Sequence, residues 1–136
     1  MATVGVRYIV NDVDAAIEFY CGYLGFQEAM HPVPTFAMLE RGDLRLLLSA
    51  PSEQSGGVQT MTDGTVPAPG GWNRIFLEVD DLTATVDALR AVGVQFRNDI
   101  VTGVDGRQAL IDDPSGNPIE LFEPTIPEAR LSPEAP

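Results

Sequence analysis

Apolar and polar residues alternate along residues 4–10, VGVRYIV, placing Val4, Val6, Tyr8 and Val10 on one face and Gly5, Arg7 and Ile9 on the other. Period-two alternation predicts a β-strand. The period then changes: Asn11 and Asp12 supply helix N-cap chemistry, and Val13, Ile17, Tyr20 and Leu24 follow at helical spacing before Gly25 offers a stop. Residues 26–30 read as a second strand, and residues 35–51, TFAMLERGDLRLLLSAP, as a hairpin turning at residues 40–43. The first half of the chain is therefore β-α-β-β-β.

The same order recurs. In residues 74–79, RIFLEV, Ile75, Leu77 and Val79 share one face and Arg74, Phe76 and Glu78 the other. Asp81 caps a helix with apolar positions Leu82, Val86, Leu89 and Val92, stopped by Gly93. Asp12 to Asp81 is a shift of 81 − 12 = 69, under which Val13, Ile17 and Tyr20 map onto Leu82, Val86 and Leu89. A strand at residues 94–97 and a hairpin at residues 107–122 complete the second copy. Leu46, Leu47 and Leu48 then correspond to Ile119, Glu120 and Leu121, and Ala50-Pro51 to Glu123-Pro124, which makes the chain an internal repeat.

The closing hairpin turns at DDPSGN, where Pro fixes φ, Ser and Asp bond nearby backbone and Gly tolerates positive φ. On its return strand Ile119 and Leu121 point to one face, Glu120 and Phe122 to the other. A carboxylate in the middle of an apolar strand requires either a partner or a task. Between the copies, residues 52–71 are rich in Gly, Pro, Ser and Thr. They read equally as a linker or as a flap that would close on something through Met61, Val66 and the adjoining Trp72. Residues 125–136 read as a Pro-rich, poorly ordered tail.

Charge and cysteine content narrow the function classes. Eight Lys+Arg stand against twenty Asp+Glu, a formal net charge of −12, which opposes nucleic acid and anionic membranes as partners. Lone Cys21 cannot form an intrachain disulfide, and no CxxC or His/Cys cluster offers a structural zinc. No cofactor motif is present, no apolar run has the length of a membrane span and no signal pattern opens the chain, so the expected compartment is the cytoplasm.

The tandem β-α-β-β-β repeat, its strand-VxD-helix opening and the closing DPSGNPIELFEP resemble the vicinal oxygen chelate superfamily, which includes glyoxalase I, extradiol dioxygenases, fosfomycin resistance enzymes and bleomycin-binding proteins. The resemblance covers residues 3–124. It implies an α+β fold in which two modules, residues 3–51 and 72–124, form a cup-shaped mixed sheet within a single domain, residues 1–124. It further implies a site on the concave face and a homodimer in which halves pair across two chains.

Metal-dependent members of that family place ligands on the first and last strands of each half, positions that fall here on Gly5, Leu47, Arg74 and Glu120. Only Glu120 can ligate, and Arg74 repels a divalent ion. Glyoxalase-like or dioxygenase-like metal chemistry is therefore disfavoured, since such sites need three or more donors. His31 lies off these positions, near a strand end, and reads as a loop or rim residue.

Strand alternation assigns Arg7, Ile9, Phe36, Met38, Arg45, Leu47, Ser49, Arg74, Phe76, Glu78, Glu120 and Phe122 to the concave face, with Trp72 beside them. That lining of apolar, aromatic and Met side chains suits a small organic ligand, the alternative being that it simply fills the core. Arg74 and Glu120 read either as an ion pair replacing the metal or as an oxyanion contact and a general acid/base. Three roles follow: a metal-independent protein binding an apolar or aromatic molecule, as in drug or metabolite sequestration; a metal-independent isomerase, epimerase or cyclase using Glu120; and an interaction module with a filled cup. The sequence leaves binder and enzyme open.

Overall fold

The computed structural model describes residues 4–53 and 57–131. The linker residues 54–56 and tail residues 132–136 lie outside the described residues. The chain divides into two compact units, residues 1–71 with 113–117, and residues 72–112 with 118–136.

In the first unit, β1 (Val4–Ile9) leads to α1 (Val13–Tyr23) and on to β2 (Gln27–Val33), β3 (Phe36–Arg41) and β4 (Leu44–Ser49). The sheet order is β1-β4-β3-β2, with β1 parallel to β4 and the other neighbours antiparallel. Asp12 starts α1 by accepting Ala15 N–H on its Oδ1 at 3.1 Å, and Gly25, at φ 76°, ends it. β3 and β4 turn on Gly42 and Asp43 alone, Arg41 pairing with Leu44.

The helix side of this sheet is the core: Tyr8, Val10, Ala37, Leu39, Leu46 and Leu48 are buried there with Val13, Ala16, Phe19 and Tyr20 of α1. Ile17, expected inside, is only half-buried, while Ala16 and Phe19 are buried beside Val13 and Tyr20. Edge-to-face contacts of Tyr20 with Phe19 and Phe26, at 5.1 and 5.4 Å between centroids, set that rotation of the helix.

The second unit repeats the plan with β5 (Ile75–Glu78), α2 (Leu82–Ala91), β6 (Gln95–Phe96), β7 (Val101–Thr102), β8 (Gly106–Asp112) and β9 (Pro118–Pro124). Its sheet order is β5-β9-β8-β6, and β7 also pairs with β8. Asp81 Oδ1 accepts Ala84 N–H at 3.1 Å, the same cap 84 − 15 = 69 residues later. β5 runs parallel to β9 with Phe76 opposite Glu120, as Arg7 lies opposite Leu47 in the first unit. Ile75, Leu77, Ala109, Ile111, Ile119 and Leu121 are buried with Leu82, Val86 and Leu89 of α2. Val92 is not among them: it follows the last helical residue and is 54% exposed.

The strand expected at residues 94–97 is shortened to the two residues of β6, and β7 follows only at Val101–Thr102. Arg97 N–H bonds Leu110 O at 2.9 Å, and the Asn98 side chain accepts Leu110 N–H at 2.8 Å. An amide oxygen thus replaces a backbone carbonyl on the ladder, and the strand breaks there. The tail is also more ordered than expected as far as Leu131: Pro127–Ala129 form a 3-10 turn, and Leu131 N–H donates to Glu78 Oε1 at 2.7 Å.

The DPSGN turn belongs to the first unit although its flanking strands belong to the second. Asp113 is 4% exposed; it accepts Tyr20 O–H at 2.8 Å, Asn117 Nδ2 at 3.0 Å and the backbone N–H groups of Ser115 and Asn117. Asn117 in turn donates to Ile9 O and accepts Gly70 N–H, both at 2.8 Å. Every polar group of this buried cluster is thereby satisfied by another member. Burial, reinforced by the Asp113 charge, raises the Tyr20 hydroxyl far above its usual pKa and keeps it a proton donor.

Candidate functional site

Each sheet has one face against its helix and one face open. On the open face of the first unit the ladder registers bring together Gly5, Arg7 and Ile9 of β1, Arg45, Leu47 and Ser49 of β4, and Phe36 and Met38 of β3. All seven residues expected on this surface from the first half are there. Met30, paired with Met38, joins them; its strand is offset by irregular pairing, which alternation alone does not reveal. Arg45 turns to the hairpin end, donating to Gly42 O at 3.0 Å and lying 3.7 Å from Glu40. Ser49 is fully buried, and its hydroxyl accepts Arg7 Nη1 at 3.3 Å.

Gly57 lies against the Arg7 guanidinium, so close that a Cβ at residue 57 would collide with it. Val58, 1% exposed, is the apolar residue of the linker that goes inside. Met61 and Val66 remain 47% and 51% exposed.

On the open face of the second unit stand Arg74, Phe76, Glu120 and Phe122. Arg74 Nε and Nη2 both reach Glu120 Oε1, at 3.0 and 2.9 Å, and Arg74 Nη1 donates to Trp72 O at 3.3 Å. The pair is well covered, with the Glu120 side chain 14% exposed and that of Arg74 30%. Phe76 and Phe122 stack at 4.8 Å between centroids and 36° between planes. Phe122 is buried while Phe76 stays 36% exposed.

Trp72 is 67% exposed and carries the Arg97 guanidinium 4.6 Å above its ring, Arg97 itself bonding Asp112 at 2.6 Å. Gln108 and Leu110, opposite Phe122 and Glu120, belong to this face too. Extending the β9 alternation across the hairpin would have found both. Gly106 is required by Phe122: a Cβ there would meet the backbone oxygen of Glu123 and the Phe122 ring.

The donor set does not fit a metal. Gly5 and Leu47 are apolar neighbours, Leu47 Cδ1 lying 3.2 Å from where a Gly5 Cβ would be, and Arg74 spends its charge on Glu120. Among the described residues no three His, Cys, Asp or Glu side chains come together to hold a metal ion. His31 stands apart on β2, its Nε2 buried without a hydrogen-bond partner, 3.9 Å from Asp14 and beside a small groove lined by Pro32, Val33 and Pro34. No helix of the described residues is long and apolar enough to cross a membrane.

Comparison with solved structures gives close agreement of fold. A superfamily member from Sphaerobacter thermophilus superposes with TM-score 0.71 at 27% identity, over 90% of this chain and 98% of that one. TnmS3, an antibiotic binding protein from Streptomyces sp. CB03234, gives 0.67 at 26% identity over 92% and 98%. Lactoylglutathione lyase from Agrobacterium tumefaciens gives 0.68 at 20% identity over 90% and 92%, a likeness of fold alone. A search of the curated proteins finds no match. The sequence profile of the Glyoxalase/Bleomycin resistance protein/Dioxygenase superfamily matches residues 3–121, and the chain belongs to that family.

Proposed function

We propose that this protein binds a small, largely apolar or aromatic organic molecule without a metal, and that it serves to sequester a drug or metabolite. The open sheet faces are the binding surfaces, aromatic in the second unit and aliphatic with thioethers and Phe36 in the first. The observation that carries the reading is the Phe76–Phe122 stack, which offers a half-open aromatic ledge beside an internally neutralised Arg74–Glu120 pair. The description of TnmS3 as an antibiotic binding protein, at 26% identity, supports the same role. Catalysis by Glu120 is less well supported, because Arg74 engages its Oε1 through both Nε and Nη2 and leaves only Oε2 to act as a base.

The reading extends to a homodimer working in the cytoplasm. Exposed apolar residues on the first unit, Met30 at 43% and Val33 at 46%, favour a covered surface, and an unpaired Cys21 suits a reducing compartment. Light scattering giving a monomer mass at micromolar concentrations would refute the dimer.

Native mass spectrometry of protein purified from its own host tests the binding role, with an organic mass retained on the folded chain expected. The apparent melting temperature should not change on adding EDTA. Stoichiometric metal lost together with stability, or turnover of the retained molecule, would overturn the proposal.

A further inference from the structure

We infer that the ligand carries an anionic oxygen group, such as a carboxylate, sulfonate or phosphate, and that Arg7 on the open face of the first unit reads it. The inference rests on the binding role proposed above. All eight basic residues of the chain are arginines. Six of them, Arg45, Arg74, Arg90, Arg97, Arg107 and Arg130, are ion-paired with carboxylates. Among the described residues, Arg7 and Arg41 make no ion pair, and Arg41 sits at the end of β3 beside the hairpin turn. Arg7 is therefore the one guanidinium in the middle of an open sheet face whose charge no described carboxylate meets.

Its surroundings are built rather than incidental. Arg7 pairs across the ladder with Leu47 and is exposed, and Ile9, Phe36 and Met38 share its face, so the charge stands on a largely apolar surface that a ligand can reach. The head group is held at two points: Nη1 donates to the hydroxyl of fully buried Ser49, and the Gly57 backbone lies against the guanidinium where no side chain fits. A guanidinium has five N–H donors in a fixed fork. One is committed to Ser49, which leaves a pre-oriented set for a planar or tetrahedral oxyanion. In a chain with twenty acidic residues, an arginine with a purely structural task on this face could have been given a carboxylate, as Arg74 is given Glu120 on the other unit. The overall charge of −12 repels anions in general, so selectivity for one must be local.

The test compares anilinonaphthalene sulfonate with uncharged N-phenylnaphthylamine, two dyes of nearly the same apolar skeleton, by fluorescence titration of the folded full chain. The sulfonate should bind more tightly by about tenfold. Arg7→Gln should abolish that preference and leave the uncharged dye within about twofold of its parent affinity. Arg7→Lys should retain part of it. Arg90→Gln, which makes the same change in net charge on the surface of α2, should leave the preference intact. Ser49→Ala provides a second variant should Arg7→Gln fail to fold, and freeing the guanidinium should reduce the preference by about threefold. Equal affinity of the parent for both dyes, or a preference that survives in the Arg7 and Ser49 variants, would overturn the role of Arg7 and leave the binding reading standing. Binding of neither dye would overturn both.

Discussion

The two units share a plan and differ on their open faces. In the second, Arg74 and Glu120 answer one another beside stacked aromatic rings, so the charges are spent internally. In the first, the matching positions hold Gly5 and Leu47, the lining is aliphatic and thioether apart from Phe36, and Arg7 has a hydroxyl rather than a carboxylate for its partner. The helix caps, glycine stops and parallel pairing that build each unit do not depend on residues pointing away from the helix. Those residues are free to diverge while the fold persists.

The difference can be broken most severely at two glycines. Gly106→Ala drives a methyl group into the Glu123 backbone oxygen and the Phe122 ring, and backbone cannot yield; a loss of about 3 kcal/mol is expected in urea unfolding. Gly57→Ala meets only the far end of a side chain, the Arg7 guanidinium, and no backbone, so its cost should stay under about 1 kcal/mol while the guanidinium is pushed from its place. Comparable losses for both would mean that Arg7 is as rigid as a strand.

Aromatic character is the next point of contrast. Phe76→Ala should weaken a bound aromatic ligand by about 2 kcal/mol, measured by titration followed through Trp72 fluorescence, and Phe36→Ala by about 1 kcal/mol. An effect in the reverse order would move the ligand's main contact to the first unit.

Glu120→Gln keeps the shape and removes the charge that Arg74 uses. Because the pair is partly covered, a loss of about 1 kcal/mol in stability is expected, with no change in any turnover. A variant of full stability that loses a measurable rate would instead make Glu120 a general base.

The smallest expected effect is one of pH. Glu123 accepts the N–H of Leu82 at the start of α2 and then Arg107, interactions that hold its carboxyl below the usual range, whereas the corresponding residue of the first copy is Ala50. A depressed folded pKa contributes stability that is fully present above the unfolded value of about 4.3 and is lost as pH falls through the lower folded value. The melting temperatures of the parent and Glu123→Gln should therefore differ at neutral pH and converge in acid. A constant difference down to the acid limit would show that Glu123 acts by packing alone.

Much of the backbone plan was legible because its signals are local. Asp12 and Asp81 cap helices through bonds spanning three residues, and Gly25 and Gly93 take positive φ where the helices stop. Alternation assigned the candidate lining residues to a single concave face; the ladder registers put Arg7, Ile9, Phe36, Met38, Arg45, Leu47 and Ser49 on one face of the first sheet, and Phe76, Glu120 and Phe122 on one face of the second. The failures came where a distant group competes with the local pattern. Asn98 replaces a strand carbonyl because Leu110 is there to be bonded, and Phe19 is buried because Tyr20 and Tyr23 meet its ring edge-on. Val58 is drawn inside from a stretch whose composition reads as linker.

By itself, the sequence determined the duplicated order of elements, the faces of their strands and the absence of ligating atoms at three of four family positions, since each follows from residue type and short-range period. Only the tertiary structure decided that Asp113 is a buried acceptor for Tyr20, ninety-three residues away, and that Arg74 closes on Glu120 while Arg7 closes on Ser49. Partner choice between charged and polar groups depends on distances set by the packed sheets, and those distances fall off no single stretch of chain.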